Sequence, residues 1–464
     1  MQRTEHAPSS APAPAPANGL ERKLGLFPLT NIVVANMIGA GIFTTSGLLM
    51  QDLHHPGVMI GLWLFGGLVA LCGALSYGEL GAAFPQAGGE YAFLSRLYHP
   101  VLGFLSGWVS FFVGFSAPIA ASAIGFSEYL TRAFPGLLRL GLFPEPVEAT
   151  LMKKLFAVLI IAAFTFLHTR GLKTGARVQN VLTGLKVLLI VGLVAAGFAV
   201  GKGTFAHFAA AAPFRLDFAG LKTMGLSLMW IMFAYSGWNA SAYVGSEVRD
   251  PLRNLPRSLL LGTAVVTLLY AALNVFYVYA IPPGAMEGVI SVAGLAAGNL
   301  FGPAAETVLS LLVSFALFSS LSAYLILGPR VYYSMARDGI FFRSIAFVDP
   351  RSSVPTRSIV LQGAIAAVMV FLGTFDQLLT YMSFSLGIFP LLAVVGVFKL
   401  RRTGRSAVKL PGYPVASAVY LLAGTAILIL SFLQRPKESL VALATAAVGI
   451  PVYLFFKARS ARTP

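Results

Sequence analysis

The chain has 464 residues, of which 57% are hydrophobic and only 11% charged, with a mean hydropathy of +0.79. Soluble domains carry about 25% charged residues, so a water-soluble fold is excluded and the bilayer is the solvent. The net charge of +16 raises the question of nucleic acid as a partner, which the placement of the charges answers below.

Residues 1–24 contain "SSAPAPAPANG" (9–19), an Ala/Pro/Ser-rich stretch without an apolar core. It reads as a disordered cytosolic tail, not a signal peptide. Twelve apolar runs follow, at 27–50, 57–83, 101–131, 151–169, 177–200, 219–246, 257–281, 305–335, 357–374, 377–400, 413–433 and 438–457. Each is close to or above the roughly 20 residues that cross the hydrocarbon as a helix. The runs are continuous, not alternating, so they imply helices and not barrel strands. The expected fold class is an all-α integral membrane protein of about twelve transmembrane helices. No linker divides it: 25–400 reads as a ten-helix core, and 401–464 as two additional C-terminal helices with a short cytosolic tail.

The first run contains "NMIGAGIF" (36–43). Gly39 and Gly41 fall mid-span, where each glycine costs roughly 1 kcal/mol relative to alanine. Two readings fit. Small residues permit a close helix–helix contact. Alternatively the helix unwinds, which is tolerable in a membrane only where the freed backbone groups line a cavity or meet a ligand. The half-helix resuming after Gly41 would then offer free N–H groups and a positive dipole end to a carboxylate.

The second run holds the only cysteine, Cys72, which reads as packed and cannot form an intramolecular disulfide. Glu79 and Glu90 flank "FPQAGG" and read as a gate pair or as a solvated loop. Glu128, near the outer end of the third run, is a remote acidic candidate.

Lys186 stands in "RVQNVLTGLKVLLIVGLV", about ten residues or roughly 15 Å into the fifth run. A lysine reaches about 6 Å towards an interface, so the reading is a buried functional cation. The alternative is a helix that starts later, with Lys186 among headgroups. If buried, its ammonium is expected to bridge helix 1 and helix 8, with carbonyls near Gly39 and the hydroxyls of Ser319, Ser320 and Ser322 as partners. It would be a fixed cation or a proton carrier.

The sixth run carries a second interrupted centre, "FAYSGWNAS" (233–241). The polar amide of Asn239 needs partners at this depth, and Trp238 suits either an occlusion lid or ordinary packing. Helices 1 and 6 are the first members of two five-helix halves. Gly-interrupted segments in corresponding positions point to an inverted-repeat transporter with its site between them. Amides after one break and carbonyls around both describe a site for a zwitterion, an α-amino acid. After helix 6, "GSEVRDPLRNLPRS" places Pro251 and Pro256 where one helix ends and another begins. Glu247, Arg249, Asp250 and Arg253 there could form gate salt bridges or a solvated loop.

With a cytosolic N-terminus, 23 of the 33 Lys and Arg fall in cytosolic segments and 9 in outer ones, Lys186 being the remaining one. That bias is the positive-inside rule; it accounts for the basic excess without nucleic acid, and it places both termini in the cytosol of a multi-pass protein of the cell inner (plasma) membrane. The six histidines include His54–His55, which have no carboxylate or cysteine at ligand spacing, so no metal is expected. No P-loop, GxSxG or intramembrane carboxylate pair indicates an enzyme or primary pump, no cofactor is called for, and no continuous polar stripe indicates a channel.

The ordered set "NMIGAGIF", "FPQAGGEYAFL" (84–94), "FAYSGWNASAYVGSEVRDPLRNLPRSL" (233–259) and "GPRVYYSMARDGIFF" (328–342), with "ARVQNVLTGLK" and "LPGYP" (410–414), spans most of the chain. It resembles the amino acid–polyamine–organocation (APC) superfamily, and within it the L-type (LAT-like) amino acid transporters and bacterial serine/threonine exchangers. The resemblance implies a leucine-transporter-type 5+5 inverted repeat with broken helices 1 and 6. It implies a substrate carboxylate on amides around Gly39, Ala40, Gly41 and Ile42. The ammonium would lie on carbonyls near Met37 and of Phe233, Ala234 and Ser236, beside Gly237 and Asn239. Val113, Gly114 and Pro118, with Phe384 and Ser385, become side-chain pocket candidates. Lys186 matches a helix 5 lysine standing where sodium-coupled relatives hold a sodium ion, which implies sodium independence. Eukaryotic L-type relatives pair with a single-span glycoprotein through an extracellular cysteine; with only Cys72 in helix 2, no disulfide-linked heavy chain is expected, while a homo-oligomer stays open. The reading is a sodium-independent secondary transporter, an exchanger of neutral L-amino acids. The alternatives are a proton symporter using Lys186 or a transporter of cationic amino acids or polyamines.

Overall fold

A computed structural model describes residues 21–461 apart from 135–136, 138–144, 210–213, 290–291 and 373–374. Its helices are α1 (Leu26–Met37), α2 (Ala40–Leu53), α3 (Pro56–Ala83), α4 (Glu90–Leu97), α5 (Pro100–Val109), α6 (Ala117–Ala133), α7 (Glu145–Thr169), α8 (Leu172–Val200) and α9 (Phe218–Ala234). The second half holds α10 (Pro251–Ala280), α11 (Pro283–Met286), α12 (Val292–Phe301), α13 (Pro303–Arg337), α14 (Thr356–Leu372), α15 (Phe375–Arg402), α16 (Val415–Gln434) and α17 (Pro436–Ala461). Among the described residues the only extended pairings are isolated bridges, Leu24 with Val248 and Ala87 with Val244.

Ten helical segments, counting α1–α2 as one, are long and apolar enough to cross a membrane among the described residues. Two of the twelve expected runs differ. The run at 219–246 is α-helical only to Ala234, and the run at 357–374 gives a shorter apolar helix, Thr356–Phe371. The sixth run stops early because Gly237 adopts φ +101°, which no α-helix contains.

Burial sorts the helices into a centre and a shell. The apolar window of Leu26–Leu53 is 89% buried inside the protein, whereas those of Asn180–Val200 and Val415–Gln434 are 22% buried. Leu159, Leu188 and Leu422 are more than half exposed, an apolar exterior that only lipid covers at low cost. The chain is a multi-pass membrane protein. At its centre α1 packs on α10 and α13, α10 on α3, and α13 on α6.

Residues 1–20 of the expected tail lie outside the described residues, but its end is pinned. The Lys23 and Leu24 N–H groups both donate to the Glu247 carbonyl, and Arg249 N–H donates to Leu24 O. Cys72 is buried in α3. The histidine pair divides: His54 Nδ1 lies 2.8 Å from Glu287 Oε1, while His55 Nδ1 accepts from Val58 N–H at the start of α3.

Candidate functional site

The first helix breaks at Ile38 and Gly39, both extended. A broken helix orphans its last four carbonyls, and here side chains answer them. Lys186 Nζ, from α8, donates to Ala35 O at 3.3 Å and to Ile38 O. It also donates to Ser320 Oγ of α13 at 2.9 Å, and Ser320 in turn donates to Ile38 O at 2.7 Å. The Tyr324 hydroxyl lies 3.4 Å from Asn36 O, and the Tyr270 hydroxyl donates to Met37 O at 2.6 Å. Lys186 is 1% exposed, well away from headgroups. Ser319 meets Thr183 at 3.2 Å, and Ser322 meets His168 Nε2 at 2.8 Å.

The second break follows α9. From Tyr235 to Glu247 the backbone runs in turns and two 3₁₀ segments, Ala240–Tyr243 and Gly245–Glu247. Bonds of the i→i+3 kind satisfy much of it: Ser236 N–H to Phe233 O at 2.8 Å, Ala240 to Gly237 at 2.9 Å, Ala242 to Asn239 at 3.0 Å. This is how a membrane segment leaves the α-helix without stranding its amides. Gly237 is obligatory twice over. Its φ is left-handed, and a Cβ there would sit 2.6 Å from Asn36 Nδ2.

The two breaks touch. A Cβ on Gly41 would lie 2.7 Å from Ala234 Cα, and the Tyr270 hydroxyl that bonds Met37 O also lies 2.9 Å from Ala234 O. Beside this contact is a cavity of about 110 Å³, whose walls include Asn36, Phe233, Ser236, Gly237, Trp238 and Asn239. Gly114 and Ser385 also line it, as expected from their elements. Met37, Gly39, Ala40, Gly41, Ile42, Ala234, Val113 and Phe384 are buried but not on the cavity wall; Pro118 is buried in α6 and likewise off the wall. The helix 1 backbone candidates sit one layer behind, because α2 starts against the end of α9. The first turn of α2 has no side-chain cap, so its N–H groups keep the anion-binding character of a helix start.

Trp238 both packs on aromatic neighbours and lines the cavity. Its ring packs on Tyr77 at 4.7 Å and on Tyr420 at 5.4 Å between centroids. Asn239 Nδ2 donates to Glu90 Oε1 at 2.5 Å.

Three features of the site were not singled out in the sequence, and a fourth was placed differently. Asn36, which lines the cavity, has its Oδ1 buried without a hydrogen-bond partner among the described residues. Tyr270 and Tyr324 put hydroxyls on the carbonyls of the first break. A π-helical turn, Ser110–Ser116, displaces the helix 3 wall, and Ser116 Oγ donates to Phe111 O within it; such turns are frequent at functional sites. Finally Glu90, read as a gate or loop residue, is 2% exposed and lines the cavity.

The loop charges resolve differently from one another. Glu247 is fully buried and pairs with Arg330 of α13, Nε to Oε1 at 2.8 Å and Nη2 to Oε2 at 3.3 Å. Arg330, counted above as a loop cation, is 1% exposed. Arg249, Asp250 and Arg253 are exposed. Glu79 is no solvated side chain either: Arg401 chelates it, and the Leu410 N–H donates to it at 2.9 Å, tying α3 to "LPGYP". The side chain of Glu128 lies outside the described residues.

Two broken helices meeting around a buried cavity in a lipid-facing bundle define the class, a multi-span permease. The amino acid permease family model matches residues 24–456, and the chain belongs to that family. Among similar proteins are the mouse Asc-type amino acid transporter 1, 26% identical over 438 residues (94% of this chain, 81% of that protein), and the mouse b(0,+)-type amino acid transporter 1, 26% identical over 435 residues (93% and 86%). The mouse large neutral amino acids transporter small subunit 2 is 26% identical over 445 residues (94% and 81%). The APC resemblance drawn from the motifs therefore stands.

Proposed function

We propose that the protein carries L-amino acids across the cell membrane by alternating access, exchanging neutral amino acids without sodium. The observation that carries this reading is the pair of facing breaks. The cavity would take an ammonium on the unpartnered Asn36 side chain and the carbonyls around Phe233 and Ser236, while the uncapped α2 start, one layer behind the cavity wall, would meet a carboxylate only when α2 and α9 part. Asn239 and Trp238 close the same cavity. The relatives' names, all amino acid transporters, support the cargo class.

Sodium independence rests on Lys186. Its ammonium takes the carbonyls and hydroxyl that a hard monovalent cation would need between α1, α8 and α13. A proton symporter in which Lys186 releases its proton is the second reading, favoured by that lysine's complete burial. The two halves of five helices, related as an inverted repeat, would rock about the breaks. The N-terminus and the Glu247–Arg330 pair would lie on the cytosolic side of a plasma membrane, where the pair closes the inner end. The buried position of the single cysteine fits operation without a disulfide-linked heavy chain.

Thermal unfolding of the purified protein tests the site. Alanine, serine, threonine or leucine at saturating concentration should raise Tm, because a ligand of the native state stabilises by about 2.7 kcal/mol at 100-fold over Kd. Lysine and putrescine should not. A shift with the cations alone would replace the neutral reading.

A further inference from the structure

Glu90 is the first residue of α4, between two membrane spans, at the end of the bundle that also holds the N-terminal segment. Its neighbour loop contacts the second break directly: Ala87 bridges Val244, and Ala87 N–H donates to Ser246 Oγ at 2.8 Å. The Glu90 carboxyl is 2% exposed yet faces the cavity. Oε1 accepts from the Tyr77 hydroxyl at 2.7 Å and from Asn239 Nδ2 at 2.5 Å. Oε2 is buried and makes no hydrogen bond among the described residues.

A buried carboxylate ordinarily answers to a cation; the other two in this region do, Glu247 to Arg330 and Glu79 to Arg401. Glu90 has none. The groups facing it are Tyr77 from α3, Asn239 and Tyr243 from the 3₁₀ segment, and Tyr420 from α16. The other charges near α4 are engaged elsewhere. Asp338 of α13 accepts from the Tyr91 hydroxyl, and Lys399 of α15 donates to Leu97 O at the far end of α4. Hydroxyls and an amide solvate one oxygen but leave the charge in place.

We propose that Glu90 is a proton-binding site at the floor of the cavity: it holds a proton while α4 and the broken helix pack as seen here, and gives it to water when they part. Burial pushes the carboxyl above the ordinary range, against the hydrogen bonds from Tyr243, Tyr77 and Asn239 that pull it down. The packed arrangement therefore binds more protons than a hydrated, open one. It is favoured at low pH and weakened as pH rises through the packed-state value. The proton goes on from water and returns to water, so no co-reactant is needed. The consequence is a pH-gated conformational cycle, and it rests on the transport reading above.

Two measurements test it. The first is homoexchange of labelled alanine across sodium-free vesicles at symmetric pH, which isolates the cycle from any net flux. Wild-type exchange should change about tenfold across about two pH units, and Glu90→Gln, a permanent mimic of the protonated side chain, should flatten that profile. A flat wild-type profile, or a Glu90→Gln profile that keeps the wild-type slope, overturns the inference, and the wild-type arm needs no variant to fold. The second is infrared titration of the wild-type protein in lipid. A protonated-carboxyl band should persist well above the ordinary glutamate range and vanish in Glu90→Gln. Absence of that band overturns the inference whatever the cargo. If alanine does not move at all while the band is present, the transport reading fails and the proton site stands.

Discussion

Lys186 carries most of the account at the residue scale. One ammonium group ties α8 to two carbonyls of α1 and a hydroxyl of α13. Removing it leaves the Ala35 and Ile38 carbonyls with Ser320 alone, and an orphaned buried polar group costs about 1–3 kcal/mol. Lys186→Met should therefore lower transport at least about tenfold at every pH if the lysine is a fixed cation. If it is the proton carrier, the same variant should lose gradient-driven uptake while keeping exchange. Transport equal to wild type at all pH values would remove Lys186 from the mechanism. Asn36 and Glu90 show what sequence does not carry at this scale. An asparagine at the head of "NMIGAGIF" and a glutamate beside a Gly-Gly turn both read as local. Only the fold reveals that, among the described residues, one has an unpartnered oxygen and the other pairs with no cation.

At the scale of elements, the breaks are legible in the sequence and the buried ion pair is not. Gly39, Gly41 and Gly237 mark the interruptions because glycine in mid-membrane is costly unless backbone geometry demands it. The interruption of helix 6 at 233–241 is legible, but the form of the chain from there to 246 is not. Its residues are apolar enough for a span, and nothing local announces two 3₁₀ segments held against the loop at 85–89. The Glu247–Arg330 pair was equally hidden, since 83 residues separate its partners. Its burial makes a sharp prediction. Arg330→Met or Glu247→Gln alone strands a charge in the interior, at about 3–5 kcal/mol, so each should lower Tm substantially. The double variant should lose less than either single one. Single variants with unchanged melting would mean that the pair is solvated in the working protein.

At the scale of the whole molecule, the crossings were readable because the bilayer imposes a length on every helix. Ten of the twelve runs return as membrane-length helices and two as shorter ones. The layering was not readable. The burial of α1–α2 at the centre and the exposure of α8 and α16 at the rim follow from contacts between segments far apart in sequence. The central claim concerns what this assembly does as a unit: it exchanges neutral amino acids around the two breaks, without sodium. The most direct measurement is uptake of labelled alanine, serine, threonine and leucine into sodium-free proteoliposomes, with the lumen empty or loaded with unlabelled amino acid. The account predicts uptake into loaded vesicles only, with no uptake into empty vesicles driven by an imposed inward proton gradient. Concentrative uptake into empty vesicles that requires the gradient would contradict exchange and make the protein a proton symporter.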